Sequence, residues 1–200
     1  MKRSLPVSPN DIYFFGLTVL AIGLPFSNFL MSISQLFLGA AWLLAGNYKE
    51  RLKSFWSNKP AVVLASVFLM HILGITYTTD FNYGLEDLRK KIPLFVLPFI
   101  ISTMDPFSKK RFDWLMAVFV LSVSFFTFWG TAKLFGWVGE TMSDSRQLST
   151  KISHIRFALM ICMSIFILLY FAYKHNSLVK KIFFTAAAGW LLYFLTLMEA

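Results

Sequence analysis

The sequence predicts an all-α protein, a polytopic transmembrane helical bundle with about seven spans and a cytoplasmic N-terminus. Hydrophobic residues make up 57% of the 200 residues, charged residues only 14%, and the mean hydropathy is +0.63. Long apolar segments such as 112–134 and 156–173 approach the ~20 residues that carry a helix across a ~30 Å hydrocarbon core. Short basic loops separate these segments. Backbone amides inside the core find no water, so they must pair within a helix.

Seven apolar segments are expected to span the membrane in order along the chain. The first two are joined through Gly23–Asn28, where Pro25 and small polar residues favour a break in the helix. The fourth is short and contains Pro93 and Pro98, which predicts a kinked, tilted or only partly spanning helix. The expected spans are 12–29, 31–46, 60–77, 92–104, 112–134, 156–173 and 182–199.

The distribution of Lys and Arg predicts the orientation of these spans. With the N-terminus in the cytoplasm, twelve of the nineteen basic residues fall on the cytoplasmic side, as the positive-inside rule favours. The twelve are Lys2, Arg3, Lys49, Arg51, Lys53, Lys59, Lys109, Lys110, Arg111, Lys174, Lys180 and Lys181. The inverted arrangement is the alternative, because two of the loops assigned to the outside are themselves basic.

The formal net charge of +9 and the pI near 9.7 do not indicate a nucleic-acid partner. The basic residues sit between apolar segments, where control of topology explains them. The single cysteine, Cys162, lies within a span, which excludes a disulfide within the chain and a cysteine-based metal site. No metal-ligand pattern and no Gly-rich phosphate loop is present, so neither a metal nor a cofactor is expected.

A basic segment at 77–93 is assigned to the outside and is a candidate site. From Gly84 onward it is expected to form a short amphipathic helix with apolar residues on one face. Two pairs at i,i+4 would support that helix, namely Glu86–Lys90 and Asp87–Lys91. The helix could anchor in the headgroup plane through lipid phosphates. Alternatively, Arg89, Lys90 and Lys91 attract a pyrophosphate-bearing lipid substrate, since the arginine fork holds two phosphate oxygens.

A second candidate site is the long external loop at 136–156. Arg146, His154 and Arg156 are its candidate binding residues, because these side chains can bind phosphate and, at His154, move a proton near neutral pH. The alternative is that they cap the next span at the interface. His154 and Arg156 would point the same way only in extended backbone, not in a helix.

His71 lies inside the third expected span, about two turns from its external end. An ionisable residue in a membrane span is a candidate functional group. A neutral histidine hydrogen-bonded to a helix neighbour is the alternative.

Several segments together resemble the N-terminal half of the O-antigen ligase and O-antigen polymerase membrane proteins, particularly the forms of Bacteroidetes-type bacteria. They are Gly23–Asn28 (GLPFSN), Tyr77–Asp80 (YTTD), Gly84–Leu85, Leu88–Arg89, Ile92–Leu94 (IPL) and Ser153–Phe157 (SHIRF). The resemblance extends over essentially all 200 residues.

The resemblance implies an inner-membrane protein of about a dozen spans that acts in lipopolysaccharide or surface polysaccharide biosynthesis. Such a protein transfers a glycan from undecaprenyl pyrophosphate to lipid A-core or another glycan acceptor at the periplasmic face, without metal or nucleotide. Residues 1–200 would then be a single transmembrane domain and the N-terminal part of the longer protein. The family's main arginine and its proposed histidine base follow the seventh span, so the catalytic residues are expected beyond residue 200, and neither role passes to His154 or Arg156.

Two other functions remain open. The chain is alternatively a transporter or flippase subunit, with His71 and the proline-containing fourth span lining a path. It is otherwise a non-catalytic, truncated fragment.

Overall fold

Helices form nearly all of the chain in the computed structural model, which describes residues 8–137 and 153–199. Nine helices and no strands occur among these residues. The helices are α1 (Pro9–Phe26), α2 (Asn28–Ala45), α3 (Tyr48–Ser57), α4 (Lys59–Ile75), α5 (Phe81–Lys91), α6 (Pro93–Thr103), α7 (Lys109–Leu134), α8 (His154–Lys174) and α9 (Leu178–Glu199). The all-α class expected from the sequence is therefore confirmed.

Among the described residues, five helices are long and apolar enough to cross a membrane, or six if the bent pair α3–α4 counts as one span. The five are α1, α2, α7, α8 and α9. The expected fourth span corresponds to α6, which has 11 residues and therefore a length of only about 16 Å. A full crossing needs about 20 residues, so α6 is too short to cross a bilayer as a straight helix.

Helix α3 corrects the sequence analysis, which placed its residues in a loop. It is a ten-residue amphipathic helix bent by 90° from α4. Asn58 separates the two helices, and its side-chain oxygen accepts a hydrogen bond from the Ala61 amide at 3.3 Å. Pro60 lies in the first turn of α4, where backbone N–H groups have no acceptor within the helix. Because proline has no N–H, it leaves no donor unsatisfied there.

The connection between α1 and α2 is shorter than expected. Helix α1 continues through Pro25 to Phe26, and Ser27 alone lies between the two helices. Gly23 permits this tight turn, because a Cβ there would lie 2.9 Å from the Leu30 Cβ and 3.1 Å from the Met31 amide nitrogen. The GLPFSN segment therefore ends one helix and starts the next, as its residue types predict.

The chain contains two compact units, and each has its own core. The first unit comprises Met1–Gly16 and Gln35–Pro106. Its core lies where α3, α4 and α6 meet, around Phe55, with Phe95 and Phe99 packed against it. The Phe55 and Phe99 rings meet edge to face with centroids 5.1 Å apart.

The second unit comprises Leu17–Ser34 and Phe107–Ala200. Helices α8 and α9 pack closely, with α7 beside them, and Ile161, Leu191 and Phe194 are fully buried. The Trp190 indole N–H donates to the Thr127 hydroxyl at 3.1 Å, which satisfies two polar groups between α9 and α7.

Candidate functional site: the α4–α5 pocket

Helix α5 is a short surface helix held by local polar contacts. The Asp80 carboxylate accepts a hydrogen bond from the Tyr83 amide at 3.0 Å, so the helix begins at Phe81 rather than at Gly84. It ends at Lys91, two residues before Pro93, whose ring disfavours helical backbone in the preceding residue. No residue of α5 is buried, as expected for a helix at an interface.

Both predicted ion pairs on α5 are present. Lys90 Nζ lies 3.0 Å from Glu86 Oε1, and Lys91 Nζ lies 2.6 Å from Asp87 Oδ2. Arg89 is exposed, and no acidic side chain in the described part of the chain pairs with it. Of the three predicted cations, Arg89 is therefore the one with no carboxylate partner among the described residues that would compete with an external anion.

The ion pairs on α5 also shift the pKa values of Asp87 and Lys90. The hydrogen bond from Lys91 is the main cause that lowers the pKa of Asp87. Desolvation is the next largest effect and raises this pKa, while the positive charges of Lys91 and Lys90 lower it further. The hydrogen bond to Glu86 raises the pKa of Lys90. The formal charges of α5, from two acidic and three basic residues, sum to a net positive charge.

A pocket of about 430 Å³ lies between the end of α4 and the first two turns of α5. It falls within the range of about 300–1,000 Å³ that is typical of small-molecule sites. Its lining combines four polar side chains with apolar ones and two glycines. The lining residues are Met70, His71, Gly74, Ile75, Thr78, Tyr83, Gly84, Asp87 and Leu88.

His71 is held in a defined orientation at this pocket. Its Nδ1 lies 2.7 Å from the Val67 carbonyl oxygen, one turn earlier in α4. A carbonyl only accepts, so Nδ1 carries the proton and the neutral ring keeps its lone pair on Nε2. Both interpretations of His71 therefore describe it in part, since it is bonded to a helix neighbour and it also lines a pocket.

Gly84 sets the width of the pocket. A Cβ at this position would lie 3.3 Å from Thr78 Cγ2 and 3.7 Å from Ile75 Cγ1. A larger side chain would have to enter the space between α4 and α5. The glycine in the predicted helix thus has a packing reason, which the sequence alone does not reveal.

The pocket offers the groups that recognise hydroxyls. A carboxylate and an imidazole nitrogen accept hydrogen bonds, while Tyr83 and Thr78 both donate and accept. Lys91 is held beside the pocket through Asp87, and Arg89 follows on the same helix. An occupant with several hydroxyls and a nearby phosphate would match these groups.

The remaining predicted site residues lie elsewhere. His154 and Arg156 are exposed residues in the first turn of α8, in the second unit. The backbone there is helical, so the two side chains face different directions. Arg156 lines an apolar groove. Arg146 lies outside the described residues.

No protein-family model, curated protein or solved structure matches the chain. Within residues 8–137 and 153–199, no three His, Cys, Asp or Glu side chains come together to hold a metal ion.

Sequence reasoning missed the pocket because it depends on packing between elements. His71 and Asp87 are sixteen positions apart, and no spacing rule joins residues on two helices that meet through an irregular turn. The one available signal was Asp80, whose capping role predicts that α5 starts early enough to place Tyr83 on its first turn.

Proposed function

We propose that this chain forms part of an O-antigen ligase-like or polymerase-like membrane protein that transfers a glycan from undecaprenyl pyrophosphate to an acceptor. One observation carries the proposal: Arg89, without an acidic partner in the described part of the chain, lies on the helix that lines a pocket with four polar side chains. A carrier-linked glycan has a pyrophosphate, which an arginine can bind, next to a sugar, whose hydroxyls polar side chains can bind. The resemblance of several sequence segments to the ligase and polymerase proteins is a further reason for the proposal.

Arg89 and the pocket have separate roles in this proposal. The guanidinium of Arg89 holds pyrophosphate oxygens through two parallel N–H donors. His71, Tyr83 and Asp87 hold sugar hydroxyls in the pocket, which positions the glycan. Lys90 and Lys91 contribute less, because each ammonium is already paired with a carboxylate.

The reaction is a substitution at the anomeric carbon. An acceptor hydroxyl oxygen attacks that carbon, the bond from the carbon to the pyrophosphate oxygen breaks, and the configuration inverts. The hydroxyl proton passes to a general base, and undecaprenyl pyrophosphate leaves with the electron pair. Positive charge at Arg89 stabilises the leaving pyrophosphate as its negative charge increases.

The membrane arrangement is part of the proposal. We place the chain in the bacterial inner membrane with the N-terminus in the cytoplasm and seven crossings, formed by α1, α2, α4, α6, α7, α8 and α9. Because α6 has only 11 residues, its crossing requires a locally thinned bilayer. Helix α3 then lies in the cytoplasmic headgroup plane, since it is amphipathic and bent by 90° from α4. Helix α5 lies at the periplasmic face, where carrier-linked glycans are used.

Substitution of Arg89 tests the binding role. In the longer protein of which this chain would be the N-terminal part, expressed in a host strain that lacks its own copy of the gene, we expect Arg89→Gln to lower glycan transfer by roughly tenfold or more, since a hydrogen bond to a charged group contributes about 1.5–3 kcal/mol. Arg89→Lys should recover only part of the activity, because an ammonium cannot hold two oxygens in parallel. Transfer is measured by gel analysis of surface glycan at equal protein levels.

Lys90→Gln is the matched control and should leave transfer nearly unchanged, because its ammonium is occupied by Glu86. If Arg89→Gln and the triple replacement of Arg89, Lys90 and Lys91 by Gln both retain full transfer, α5 does not bind the pyrophosphate and the proposal fails.

A transporter or flippase subunit is the second candidate function. The broken helix pair α3–α4 and the short, proline-containing α6 favour it, because discontinuous helices form the substrate sites of many transporters. Proteoliposomes that move a fluorescent lipid-linked sugar between leaflets without transferring the glycan would support this function over the first.

A further inference from the structure

An apolar groove of about 470 Å³ runs between α1, α7 and α8 in the second unit. Its floor is buried and consists of residues such as Leu115 and Phe119. Its rim is open, and Met163 there is 53% exposed. Arg156 is its one charged lining residue among those described.

The groove lies along helices that are candidate membrane spans. An occupant inside the hydrocarbon core must itself be apolar, because unpaired polar groups are costly there. On α8 the lining extends from Arg156 to Ile167, eleven residues later, or roughly 16 Å at the helical rise. That length is about half of a ~30 Å hydrocarbon core, the depth of one leaflet.

Arg156 adds charge complementarity at one end of the groove. It lies in the first turn of α8, where a membrane helix meets the headgroup layer, and no acidic side chain in the described part of the chain pairs with it. A guanidinium at this level binds phosphate oxygens. His154 faces another direction on the helix, so the groove presents one positive charge, which matches a singly charged phosphodiester.

We propose that this groove binds one acyl chain of an anionic phospholipid, with the lipid phosphate on Arg156. One acyl chain matches the roughly 16 Å of lining on α8, whereas a long isoprenoid chain would extend beyond that part of the groove. Met116, Met160 and Met163 line the groove, and their flexible thioethers adapt to a chain with many conformations. This site is independent of the α4–α5 pocket and of the proposed glycan transfer.

Native mass spectrometry of the purified chain from lipid nanodiscs tests the proposal. The nanodiscs contain phosphatidylglycerol and phosphatidylcholine with identical acyl chains, and a polyprenyl phosphate at an equal amount. We expect one retained phosphatidylglycerol, favoured over phosphatidylcholine by roughly tenfold, because the choline of phosphatidylcholine offsets the phosphate charge that Arg156 would pair with. Arg156→Gln should abolish this preference, and Arg156→Lys should keep most of it.

Two tryptophan variants test the groove itself. Met163→Trp fills the groove and should lower retention of both phospholipids severalfold. Leu169→Trp is the matched control, since Leu169 is an exposed residue of the same helix outside the groove lining, and it should change nothing. Circular dichroism confirms that each variant is folded.

Three outcomes would overturn the proposal. They are an unchanged lipid preference in Arg156→Gln, unchanged retention in Met163→Trp, or displacement of the phospholipid by the polyprenyl phosphate. A dimer that carries no lipid would equally show that a second copy, rather than a lipid, covers the groove.

Discussion

Arg51 hydrogen-bonds to backbone carbonyls, whereas Arg89 has no acidic partner among the described residues. Arg51 Nε donates to the Gly46 carbonyl at 2.9 Å, and its Nη1 donates to the Thr103 carbonyl at 2.5 Å. It thereby ties the start of α3 to the end of α6 and satisfies carbonyls at two helix ends. The sequence analysis counted Arg51 only as a cytoplasmic charge, since no local pattern reveals a partner 52 positions away.

We expect Arg51→Ala to destabilise the first unit by about 2 kcal/mol, because it removes charge-assisted hydrogen bonds and leaves two carbonyls without their donor. Thermal unfolding in detergent, followed by circular dichroism, measures the effect. Lys53→Ala is the control, since Lys53 is exposed on the same helix, and it should change stability little. Equal stability of the two variants would show that the Arg51 contacts do not hold the helix ends together.

The pH dependence of α5 follows from Asp87. Its folded pKa is lowered mainly by the Lys91 hydrogen bond, so the ion pair contributes stability above the unfolded pKa and loses it as pH falls through the folded pKa. We expect wild type to be more stable than Asp87→Asn at neutral pH and equal to it at about pH 2. Melting curves at both pH values measure this difference.

Lys91→Met should reproduce the loss at neutral pH, because it removes the same pair from the other side. A stability difference between wild type and Asp87→Asn that grows as the pH falls would contradict this assignment.

At the scale of elements, α5 shows which features follow from sequence. Its existence and both ion pairs were predictable, because they depend on residues three or four positions apart. Its start was predicted three residues late, since the cap at Asp80 was not recognised. Its packing against α4 was not predictable, because the turn between them follows no regular spacing.

Helix α3 was missed in the sequence analysis although its pattern was present. Its basic residues were interpreted as loop charges, because a positive loop between two apolar segments satisfies the positive-inside rule without any helix. The amphipathic pattern was nevertheless present: Leu52, Phe55 and Trp56 recur at helical spacing, and Phe55 is buried in the core of the first unit.

The close packing of α4 and α5 at Gly84 leads to a testable prediction. Gly84→Leu places a side chain against Thr78 and into the pocket, so we expect glycan transfer to fall by roughly tenfold while the protein remains folded. Surface glycan analysis at equal protein levels measures the change. Gly39→Leu is the matched control, because a Cβ there meets nothing within 4 Å, and it should leave transfer unchanged.

Full transfer by Gly84→Leu would mean that the pocket does not hold the glycan. Parallel loss of transfer and of folded protein would assign Gly84 to stability alone, which would also remove the pocket from the site.

At the scale of the whole molecule, the proposed function depends on orientation. Composition predicted the all-α membrane class, because apolar content and segment length are set by the bilayer itself. The number of membrane crossings was harder to predict from the sequence. Helices α4 and α6 have only 17 and 11 residues, and whether such short helices cross depends on the helices packed against them. The distribution of basic residues predicts that α5 and the start of α8 lie outside the cytoplasm.

Cysteine accessibility tests this orientation most directly. In a Cys162→Ser background, single cysteines replace Asn82 on α5 and Asn176 between α8 and α9, both exposed positions. We expect a membrane-impermeant maleimide, applied to cells with a permeabilised outer membrane, to label Asn82→Cys at once and Asn176→Cys only after lysis. The reverse pattern would place Arg89 and the α4–α5 pocket in the cytoplasm, where they could not act on carrier-linked glycans at the periplasmic face.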